Sequence, residues 1–450
     1  MQHVFREVQV AAGRFAPGHL GELTRVVPFE MVDAVLAETG RVQARVRDLP
    51  SRVVVYLLLA AALFAECGYR QVWSRLVAGL GGTATADPTP AALAQARRRV
   101  GVAPLRSLFE LLRGPAAGPA TAGVWWRGRL VTAVDGTSFC CPDTPANLQV
   151  YRKGGSGNGP TGYPMVRLLA LVACGTRAII AVAFGTTAVG EIGYTRRLMD
   201  VLHPGMILLA DRNFAAAELV GKIAETGADL LIRVKSGRRL PVCRRLPDGS
   251  WLSRIGAVEV RVIRCEITIA TSAGRRGETY QLITTVRDAG CPASELVRLY
   301  HDRWEIETAF LELKQTILGG RVLRAKTPLG LEQEIYALLV AYQALRIAIS
   351  DAALTGDLDP DRGSFTIALH TARDLVTAAA GVIDETAIDL AGTIGREVLR
   401  RPMPDRRLRS NPRIVKRAIS VYAPNTGRGR IHRPSYRATL NIDILNGPDP

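Results

Sequence analysis

The sequence predicts an α/β protein with a helical first part, a mixed α/β centre that carries a β-rich insertion, and a helical, basic C-terminal part. Apolar residues recur with helical spacing from Leu20 to about Leu112. The Pro/Gly-rich stretch Gly114–Gly123 then marks a linker, after which apolar runs of strand length begin. From Lys235 to about Val286 helical spacing disappears, and Val258–Ile269 alternates apolar with polar residues, which is typical of a strand.

These changes predict three regions, because 450 residues exceed what one hydrophobic core usually serves. We expect an all-helical N-terminal domain over 1–113 and a central α/β domain over 124–350. The β-rich insertion would occupy about 235–290 of that central domain. The remaining residues, 351–450, would form a C-terminal helical region and a basic tail.

The charge of the chain indicates a polyanionic partner. The formal net charge is +17 and the pI is near 10.1, a balance that favours nucleic acid as the partner. Between Arg396 and Arg437 there are thirteen Lys/Arg against two acids, a local excess of eleven positive charges. This basic tail is either a solvated segment or a contact with the DNA backbone, and the charge of the whole chain favours the second interpretation.

A short helix in the first part carries further positive charge. Thr89-Pro90 supplies an N-cap and a first-turn proline, and Gly101 suits the end of the helix. Its last turn holds three consecutive arginines, Arg97, Arg98 and Arg99. They form either a solvated helix end or a contact with DNA phosphates in the manner of a recognition helix.

Cysteine usage and hydropathy indicate a cytoplasmic protein with no membrane partner. The seven cysteines include no Cys-x-x-Cys pair, so reduced, mostly buried thiols are expected. No basic-then-apolar leader opens the sequence. The most apolar run, Val53–Ala65, is shorter than the ~20 residues that a membrane helix requires, and predicts a buried helix.

Two aspartates follow apolar strands in the central part. Leu130–Val134 predicts a strand that ends at Asp135, and Met206–Ala210 predicts one that ends at Asp211. Functional side chains gather at strand ends in open α/β sheets, although a single aspartate there is more often a turn former. Another pair of strands, Met165–Cys174 and Arg177–Phe184, is expected to form a hairpin. Two further acids, Asp143 and Asp288, are assigned to turns.

The segment from Tyr300 to Lys314 is the most informative. Read as one α-helix, it places Tyr300, Arg303, Glu307 and Lys314 within roughly 60° of one another, since each residue turns the helix by about 100°. The same arithmetic directs Glu305 and Glu312 away from that face. Arg303 and Glu307 could simply pair as an ion pair four residues apart. Alternatively, this face offers the carboxylate and the cationic donors that phosphodiester cleavage needs.

The pattern Tyr300-x2-Arg303-x3-Glu307-x6-Lys314 resembles the signature of insertion-sequence DDE transposases, in the family-four group with the Tyr-Arg-Glu-Lys motif. Val134-Asp135-Gly136-Thr137 and the stretch from Leu209 to Phe214 look like the first and second acidic motifs of that family. The resemblance implies a ribonuclease-H-like catalytic core with a β-strand insertion before the last acid, which agrees with the β-rich stretch.

Carried over residue by residue, the resemblance implies a cut-and-paste DNA transposase. Asp135, Asp211 and Glu307 would be the catalytic metal ligands, with Mg²⁺ or Mn²⁺ as the ion, since carboxylates suit hard cations. Contacts to DNA are expected from the following residues: Tyr300, Arg303 and Lys314 with phosphates, Trp304 by stacking on an unpaired base, and Arg97 and Arg98 in the first domain. For Trp304, packing in the core is the alternative.

The resemblance also implies the partners and leaves two rival functions. The expected partner is double-stranded DNA, both the terminal inverted repeats of the element and the target, bound by a homodimer in the bacterial cytoplasm at the nucleoid. One rival is a domesticated DNA-binding protein that is catalytically silent. The other is a metal-dependent nuclease that cuts without strand transfer.

Overall fold

The structure, a computed structural model, describes residues 6–10, 14–43, 45, 47–156, 159–235, 237–271, 274–382, 391–404, 409–410, 414–415, 423–424 and 436–446. Its α-helices in chain order are α1 (Phe29–Glu38), α2 (Ser51–Leu63), α3 (Tyr69–Ala78), α4 (Pro90–Val100), α5 (Ala103–Leu112), α6 (Pro145–Leu148), α7 (Glu191–Thr195), α8 (Ala217–Glu225), α9 (Ala293–Tyr300), α10 (Glu305–Leu311), α11 (Pro328–Thr355), α12 (Phe365–Ala378) and α13 (Gly392–Arg400).

The strands in chain order are β1 (Glu7–Gln9), β2 (Phe15–Pro17), β3 (Trp125–Trp126), β4 (Arg129–Cys140), β5 (Lys153–Ser156), β6 (Gly159–Ala173), β7 (Ile179–Thr186), β8 (Met206–Ala210), β9 (Asp229–Val234), β10 (Arg244–Arg245), β11 (Trp251–Ile255), β12 (Val258–Thr271), β13 (Gly274–Thr284), β14 (Arg409–Ser410), β15 (Ile414–Val415), β16 (Ala423–Pro424) and β17 (Tyr436–Leu445). The fold is therefore mixed α/β, as predicted.

The chain forms two compact units that do not follow the predicted boundaries at 113 and 350. The first unit contains the described residues of Met1–Leu209, Thr226–Ala228 and Asp302–Met403. The second contains those of Ala210–Glu225, Asp229–His301 and Pro404–Pro450. Helices from both ends of the chain share the first unit with a sheet, because α2 and α5 pack on α11, which also packs on α12 and α13.

The helical first part agrees with the sequence in its main elements. Helix α2 is the buried helix predicted from Val53–Ala65, and each of its residues except Arg52 is buried. Thr89 caps α4 by accepting a hydrogen bond from Ala92, and the helix ends at Gly101, which has a φ of +72°. One prediction is wrong: the first part is not all-helical, because β1 and β2 form a small antiparallel pair before α1.

The sheet of the first unit is mixed. It contains the strand order β8-β4-β6-β7, in which β6 is antiparallel to both β4 and β7, and β8 is parallel to β4. The predicted hairpin is present as β6 and β7. Residues of the middle strands, among them Val134, Leu169 and Leu209, are fully or almost fully buried, so the strands form the centre of this unit's core.

The second unit confirms that the stretch after Lys235 is β-rich. Strands β9, β13, β12, β11 and β10 are antiparallel neighbours in that order. The C-terminal region corrects the sequence-based expectation, since β17 adds antiparallel to β12 instead of belonging to a helical or simply basic tail. Most of the basic segment between Arg396 and Arg437 lies outside the described residues.

Helix α11 is the longest described helix. By length and composition alone it could cross a membrane, and 78% of its most apolar stretch is buried within the fold. Its buried residues include two charged side chains, Glu334 and Arg346. These features are those of a central helix in a packed core.

Candidate active site

Asp135 lies within a strand and not at its end, which corrects the prediction. Strand β4 continues from Arg129 to Cys140, and Asp135 pairs with Ala170 of β6 in the middle of the ladder. An Asp-Gly sequence favours a turn locally. The long antiparallel partner β6 overrides that preference, because it supplies hydrogen bonds to the backbone on both sides of Asp135.

The glycine after Asp135 is explained by a close neighbour. A Cβ atom at Gly136 would lie 2.7 Å from Oε1 of Glu191, which belongs to the first turn of α7. Any side chain at this position would therefore displace that carboxylate. The backbone N–H of Gly136 also donates to Oδ1 of Asp135 at 2.7 Å, which fixes the orientation of the aspartate.

The segment with the Tyr-Arg-Glu-Lys motif is not one continuous α-helix, which is a second correction. Helix α9 ends at Tyr300, a 3₁₀ turn covers His301–Trp304, α10 follows, and Glu312–Ile317 is π-helical. A constant turn of about 100° per residue therefore does not hold across the motif. Arg303 and Lys314 nevertheless contact side chains of strand β4, on which α10 packs, and Glu307 pairs with Arg303.

Arg303 joins the first and last predicted acids. Its Nη1 lies 3.7 Å from Oδ2 of Asp135, and its Nη2 donates to Oε1 of Glu307 at 3.2 Å. The side chain of Arg303 is 10% exposed, that of Asp135 is 22% exposed and that of Glu307 is 44% exposed. Two carboxylates from distant parts of the sequence thus converge on one cationic group at a solvent-accessible place.

Lys314 reaches the same strand from a position seven residues after Glu307. Its Nζ donates to Oγ1 of Thr137 at 3.2 Å. Side chains two residues apart on a strand point to the same face, so Thr137 and Asp135 share a face of β4. Thr137 belongs to the first acidic motif in the sequence, but the motif alone did not predict that its hydroxyl contacts Lys314.

Tyr300 has an environment that the sequence did not predict. Its side chain is buried, and its hydroxyl donates to the backbone oxygen of Ala210 at 3.1 Å. Ala210 directly precedes Asp211, so this bond holds the end of β8 next to the second predicted acid. The contact gives Tyr300 a structural function that is distinct from the predicted contact with a phosphate.

Asp211 follows β8, as predicted. It precedes a 3₁₀ turn, Arg212–Phe214, and its Oδ1 accepts the N–H of Asn213 at 2.8 Å. Its side chain is partly exposed, while Phe214 is buried and anchors the turn. Asp211 therefore forms a turn, which is the structural alternative that the sequence left open.

The second unit contains a basic cavity, and one of its lining residues, Arg212, directly follows Asp211 in the sequence. Its volume is about 530 Å³, and its charged lining residues are Arg212, Lys235 and Arg238. Arg238 also donates to the backbone oxygen of Ala215. Motif reading missed this cavity, because its cations come from two segments that only the fold brings together.

Trp304 is exposed, so the alternative of core packing is excluded. Half of its surface, 49%, is accessible, and the guanidinium of Arg303 lies 4.8 Å from its ring centroid. An exposed indole next to a guanidinium group is a suitable platform for stacking.

The three arginines of α4 differ in exposure. Arg97 is half-buried, with its guanidinium 3.7 Å from the ring centroid of Tyr69, and Arg99 donates to the backbone oxygen of Leu49. Burial lowers the pKa of Arg97 from its ordinary value. Arg98 is exposed. Two of the three arginines therefore help to pack the helix, and Arg98 presents its charge to solvent.

The acids that the helix arithmetic directed away from the motif face are buried on the opposite side. Glu305 and Glu312 are 3% and 6% exposed, and both carboxylates contact Arg177. The predicted direction of the two side chains is confirmed. Their buried partner comes from the β6–β7 connection, and no local sequence pattern identifies it.

The two acids that were assigned to turns differ in what the structure shows. Asp288 accepts the N–H of Gly290 in a turn, as predicted, and Asp143 forms an ion pair with Lys153. The cysteines are free thiols, and five of them are buried. Burial raises the pKa of Cys141 to about 11, so this thiol stays protonated at neutral pH.

The donor set near Arg303 is suited to a hard divalent cation. Asp135 and Glu307 offer only oxygens, which Mg²⁺ and Mn²⁺ prefer, and they already share one positive group. Within the part of the chain that the structure describes, no three His, Cys, Asp or Glu side chains are grouped closely enough to form a complete metal site.

Comparison with known proteins gives the family. Residues 17–110 match the family model described as insertion element 4 transposase N-terminal, and residues 126–344 match the transposase DDE domain. The chain is 29% identical over 411 residues to the transposase InsG for insertion sequence element IS4 of Escherichia coli strain K12, covering 86% of this chain and 90% of that protein. It is 25% identical over 208 residues to the putative transposase InsZ of the same organism, covering 45% and 67% respectively.

A solved structure, the cryo-EM structure of the piggyBac transposase synaptic complex with hairpin DNA, covers 85% of this chain and 84% of its own chain. Its TM-score is 0.43 at 11% sequence identity. The two domain matches, the relative that spans most of the chain and the intact Tyr300–Lys314 motif agree with one another. The chain belongs to the IS4 group of insertion-sequence DDE transposases, which are DNA transposases that cleave and transfer DNA strands.

Proposed function

We propose that this transposase catalyses cut-and-paste transposition of an insertion sequence with Asp135, Asp211 and Glu307 as its catalytic carboxylates. The observation that carries the proposal is the convergence of Asp135 and Glu307 on the guanidinium of Arg303. The divalent-metal dependence of DDE domains is a property of the family. We assign the metal to these acids and take Mg²⁺ as the working ion, with Mn²⁺ as a substitute.

Strand order supports a ribonuclease-H-like core. Three antiparallel strands, β7, β6 and β4, are followed by β8, which is parallel to β4. In this register Ala133 of β4 pairs with Leu209 of β8. Asp135 comes two residues after Ala133, and Asp211 comes two residues after Leu209. This matching offset supports the assignment of Asp135 and Asp211 to one set.

Each side chain in the set has a distinct chemical task. A divalent cation held by the carboxylates supplies Lewis-acid stabilisation of the charge that develops on the phosphoryl oxygens. Arg303 is a planar, fixed donor that suits a phosphate group, and Lys314 is a point charge on the same face of β4. Tyr300 acts by holding the backbone next to Asp211.

DNA binding extends beyond the carboxylates. The cavity lined by Arg212, Lys235 and Arg238 is strongly cationic, and Arg212 directly follows Asp211 in the sequence. We therefore assign a backbone phosphate of the bound DNA to this cavity. Trp304 is assigned to an unpaired base, because its ring is exposed beside Arg303. Arg98 in the helical first region is the exposed candidate for a further phosphate contact.

The partners and the cellular location follow from the transposase function. We propose that the DNA partners are the terminal inverted repeats of the element and the target, and that a homodimer brings the two ends together in the cytoplasm at the nucleoid. The net charge of +17 supports association with DNA. The N-terminal helical region and the basic C-terminal segment are the proposed contacts outside the catalytic core.

The proposal is tested with linear DNA that carries the gene and its flanks, incubated with the wild-type protein and with Glu307→Gln, each with and without Mg²⁺. Cuts at both ends that require Mg²⁺ and Glu307, followed by joined products, are expected. Binding without any cut by the wild type would indicate a domesticated DNA-binding protein, and cuts without joined products would indicate a nuclease. Undiminished cleavage by Glu307→Gln would reject the assignment of Glu307.

A further inference from the structure

Two glutamates of the motif segment point away from Glu307 and belong to a buried network of four charged side chains. Glu305 accepts from Nε of Arg177 at 2.6 Å through its Oε2. Glu312 lies seven residues later, with its Oε1 3.5 Å from Nη1 of Arg177 and its Oε2 paired with Arg346. The side chains of both arginines and both glutamates are at most 7% exposed.

Two elements of the fold supply the basic side chains. Arg177 belongs to the connection between β6 and β7, and Arg346 belongs to α11. Tyr342 of α11 also joins the network, because its hydroxyl lies 2.9 Å from the backbone oxygen of Arg177 and 3.1 Å from Oε2 of Glu312. The network thus connects the motif segment at two points to the hairpin and to the central helix of the unit.

Arg177 has a backbone conformation that favours another residue. Its φ is +57°, in the left-handed region where glycine is at ease and long side chains are uncommon. Glycine stands two positions earlier, at Gly175, and not here. An arginine at this position is explained by what its side chain reaches, which is Glu305, Glu312 and the backbone oxygen of Asp361.

The buried charges balance one another. Two carboxylates and two guanidiniums leave no net charge, and burial lowers the pKa of Arg177, with the nearby Arg346 acting in the same direction. A buried ion-pair network contributes less to stability than apolar packing of the same volume usually does. Its charged groups have one favourable arrangement, however, so such a network is suited to fixing an orientation.

The position of the network in the segment is specific. Glu305 stands two residues after Arg303 and two before Glu307, and Glu312 stands two before Lys314. Glu312 is also the residue at which α-helix gives way to π-helix. A π turn rotates the residues that follow it relative to a regular α-helix, and Lys314 reaches Thr137 from within this turn.

We propose that Arg177 and Arg346, through Glu305 and Glu312, act as positioning residues that set the rotation of the segment carrying Arg303, Glu307 and Lys314. The network fixes α10 at Glu305 and the start of the π-helical turn at Glu312. It thereby determines which carboxylate faces Asp135. The inference rests on the proposed role of Glu307 in catalysis.

The test uses the double variant Arg177→Met/Glu305→Gln of the full-length protein. The second substitution removes the buried charge that the first would leave unpaired, so the loss of thermal stability caused by Arg177→Met alone should be largely recovered. A purely structural network predicts that cleavage recovers with stability. We expect instead that DNA affinity stays normal while the single-turnover cleavage rate remains about 100-fold low, the scale of effect that misplacement by 1 Å produces.

Two further variants complete the experiment. Arg177→Lys keeps the positive charge but loses the planar guanidinium group that contacts both Glu305 and Glu312. This variant should fold and bind DNA normally but cleave DNA more slowly than the wild type. Arg324→Met breaks another ion pair to α11, the one with Glu334, away from the motif segment. It should lower the melting temperature without changing the single-turnover rate of the folded protein.

The outcomes separate this inference from the proposed function. Wild-type cleavage rates in both the Arg177→Met/Glu305→Gln and Arg177→Lys variants would overturn the positioning role, even if Glu307→Gln abolishes cleavage in the same assay. Active Glu307→Gln protein would instead reject the proposed catalytic assignment. Rejection of Glu307 would also overturn the positioning role, because that role is defined by the placement of Glu307.

Discussion

Glu305 and Glu307 are the same amino acid two positions apart in one helix, and the fold gives them opposite environments. Glu305 is buried against Arg177, with a side chain that is 4% exposed. Glu307 is 44% exposed and shares Arg303 with Asp135. The difference teaches that one short helix can present one carboxylate to solvent beside Arg303 and bury another in an ion-pair network.

The largest effect should come from the exposed face. Asp135→Asn removes a carboxylate that converges on Arg303, and should lower the single-turnover cleavage rate by about 1000-fold, since Lewis-acid stabilisation by a metal is worth several kcal/mol and each ~1.4 kcal/mol is tenfold. DNA binding should persist. Asp143→Asn is the matched control, because Asp143 pairs with Lys153 away from the motif. Cleavage by Asp135→Asn at the control's rate would remove Asp135 from the site.

The buried face should respond in stability. Glu312→Gln removes the charge that pairs with Arg346, and breaking a buried pair from one side typically costs about 3–5 kcal/mol. Urea and thermal unfolding measure this loss. Asp87→Asn, which breaks the exposed pair with Arg70, should cost less than about 1 kcal/mol. Equal small losses in the two variants would show that the buried and exposed faces do not differ in this way.

Trp304 sharpens the comparison, because it belongs to the same segment but is exposed. Trp304→Ala should change stability by no more than about 0.5 kcal/mol. End processing should fall roughly 10- to 100-fold, since stacking on a base contributes about 1–3 kcal/mol. Leu311→Ala tests an equally exposed apolar side chain of α10 and should leave processing unchanged. A large loss of stability in Trp304→Ala would contradict the exposed placement.

The smallest effects separate Arg97 from Arg98. Arg98→Ala should reduce the salt dependence of DNA binding by about one unit of slope without affecting the melting temperature. Arg97→Ala should lower the melting temperature through loss of the contact with Tyr69, worth about 0.5–2 kcal/mol. Titration of DNA affinity against salt, with unfolding measured alongside, distinguishes the two. Identical behaviour of both variants would place the two side chains in the same environment.

Local sequence signals predicted the elements that depend on nearby residues. The N-cap at Thr89, the β6–β7 hairpin and the strand before Asp211 were all confirmed, since their hydrogen bonds and apolar patterns lie within a few residues. Helix arithmetic also gave the correct direction for Glu305 and Glu312. It succeeded for Glu305 because Glu305 and Glu307 both belong to the α-helix α10, and Glu312 follows directly after that helix.

Contacts between distant parts of the chain were beyond the same reasoning. Arg177 and Glu305 are 128 positions apart, and no local pattern links them. Strand β17 joins β12 from the end of the chain, where composition suggested only a basic tail. Strand β4 runs through Asp135 because β6 supplies a long partner, which a local preference for turns does not reveal. In each case tertiary pairing outweighed the local signal.

The central claim is that Asp135 and Glu307 hold a catalytic metal, and the most direct test is the cleavage rate of Asp135→Cys in Mg²⁺ and in Mn²⁺. Mg²⁺ demands oxygen ligands, whereas the softer Mn²⁺ tolerates sulfur better. The account predicts no cleavage in Mg²⁺ and partial recovery in Mn²⁺, while Asp143→Cys behaves like the wild type in both. Equal activity of Asp135→Cys in the two metals would contradict metal binding by Asp135.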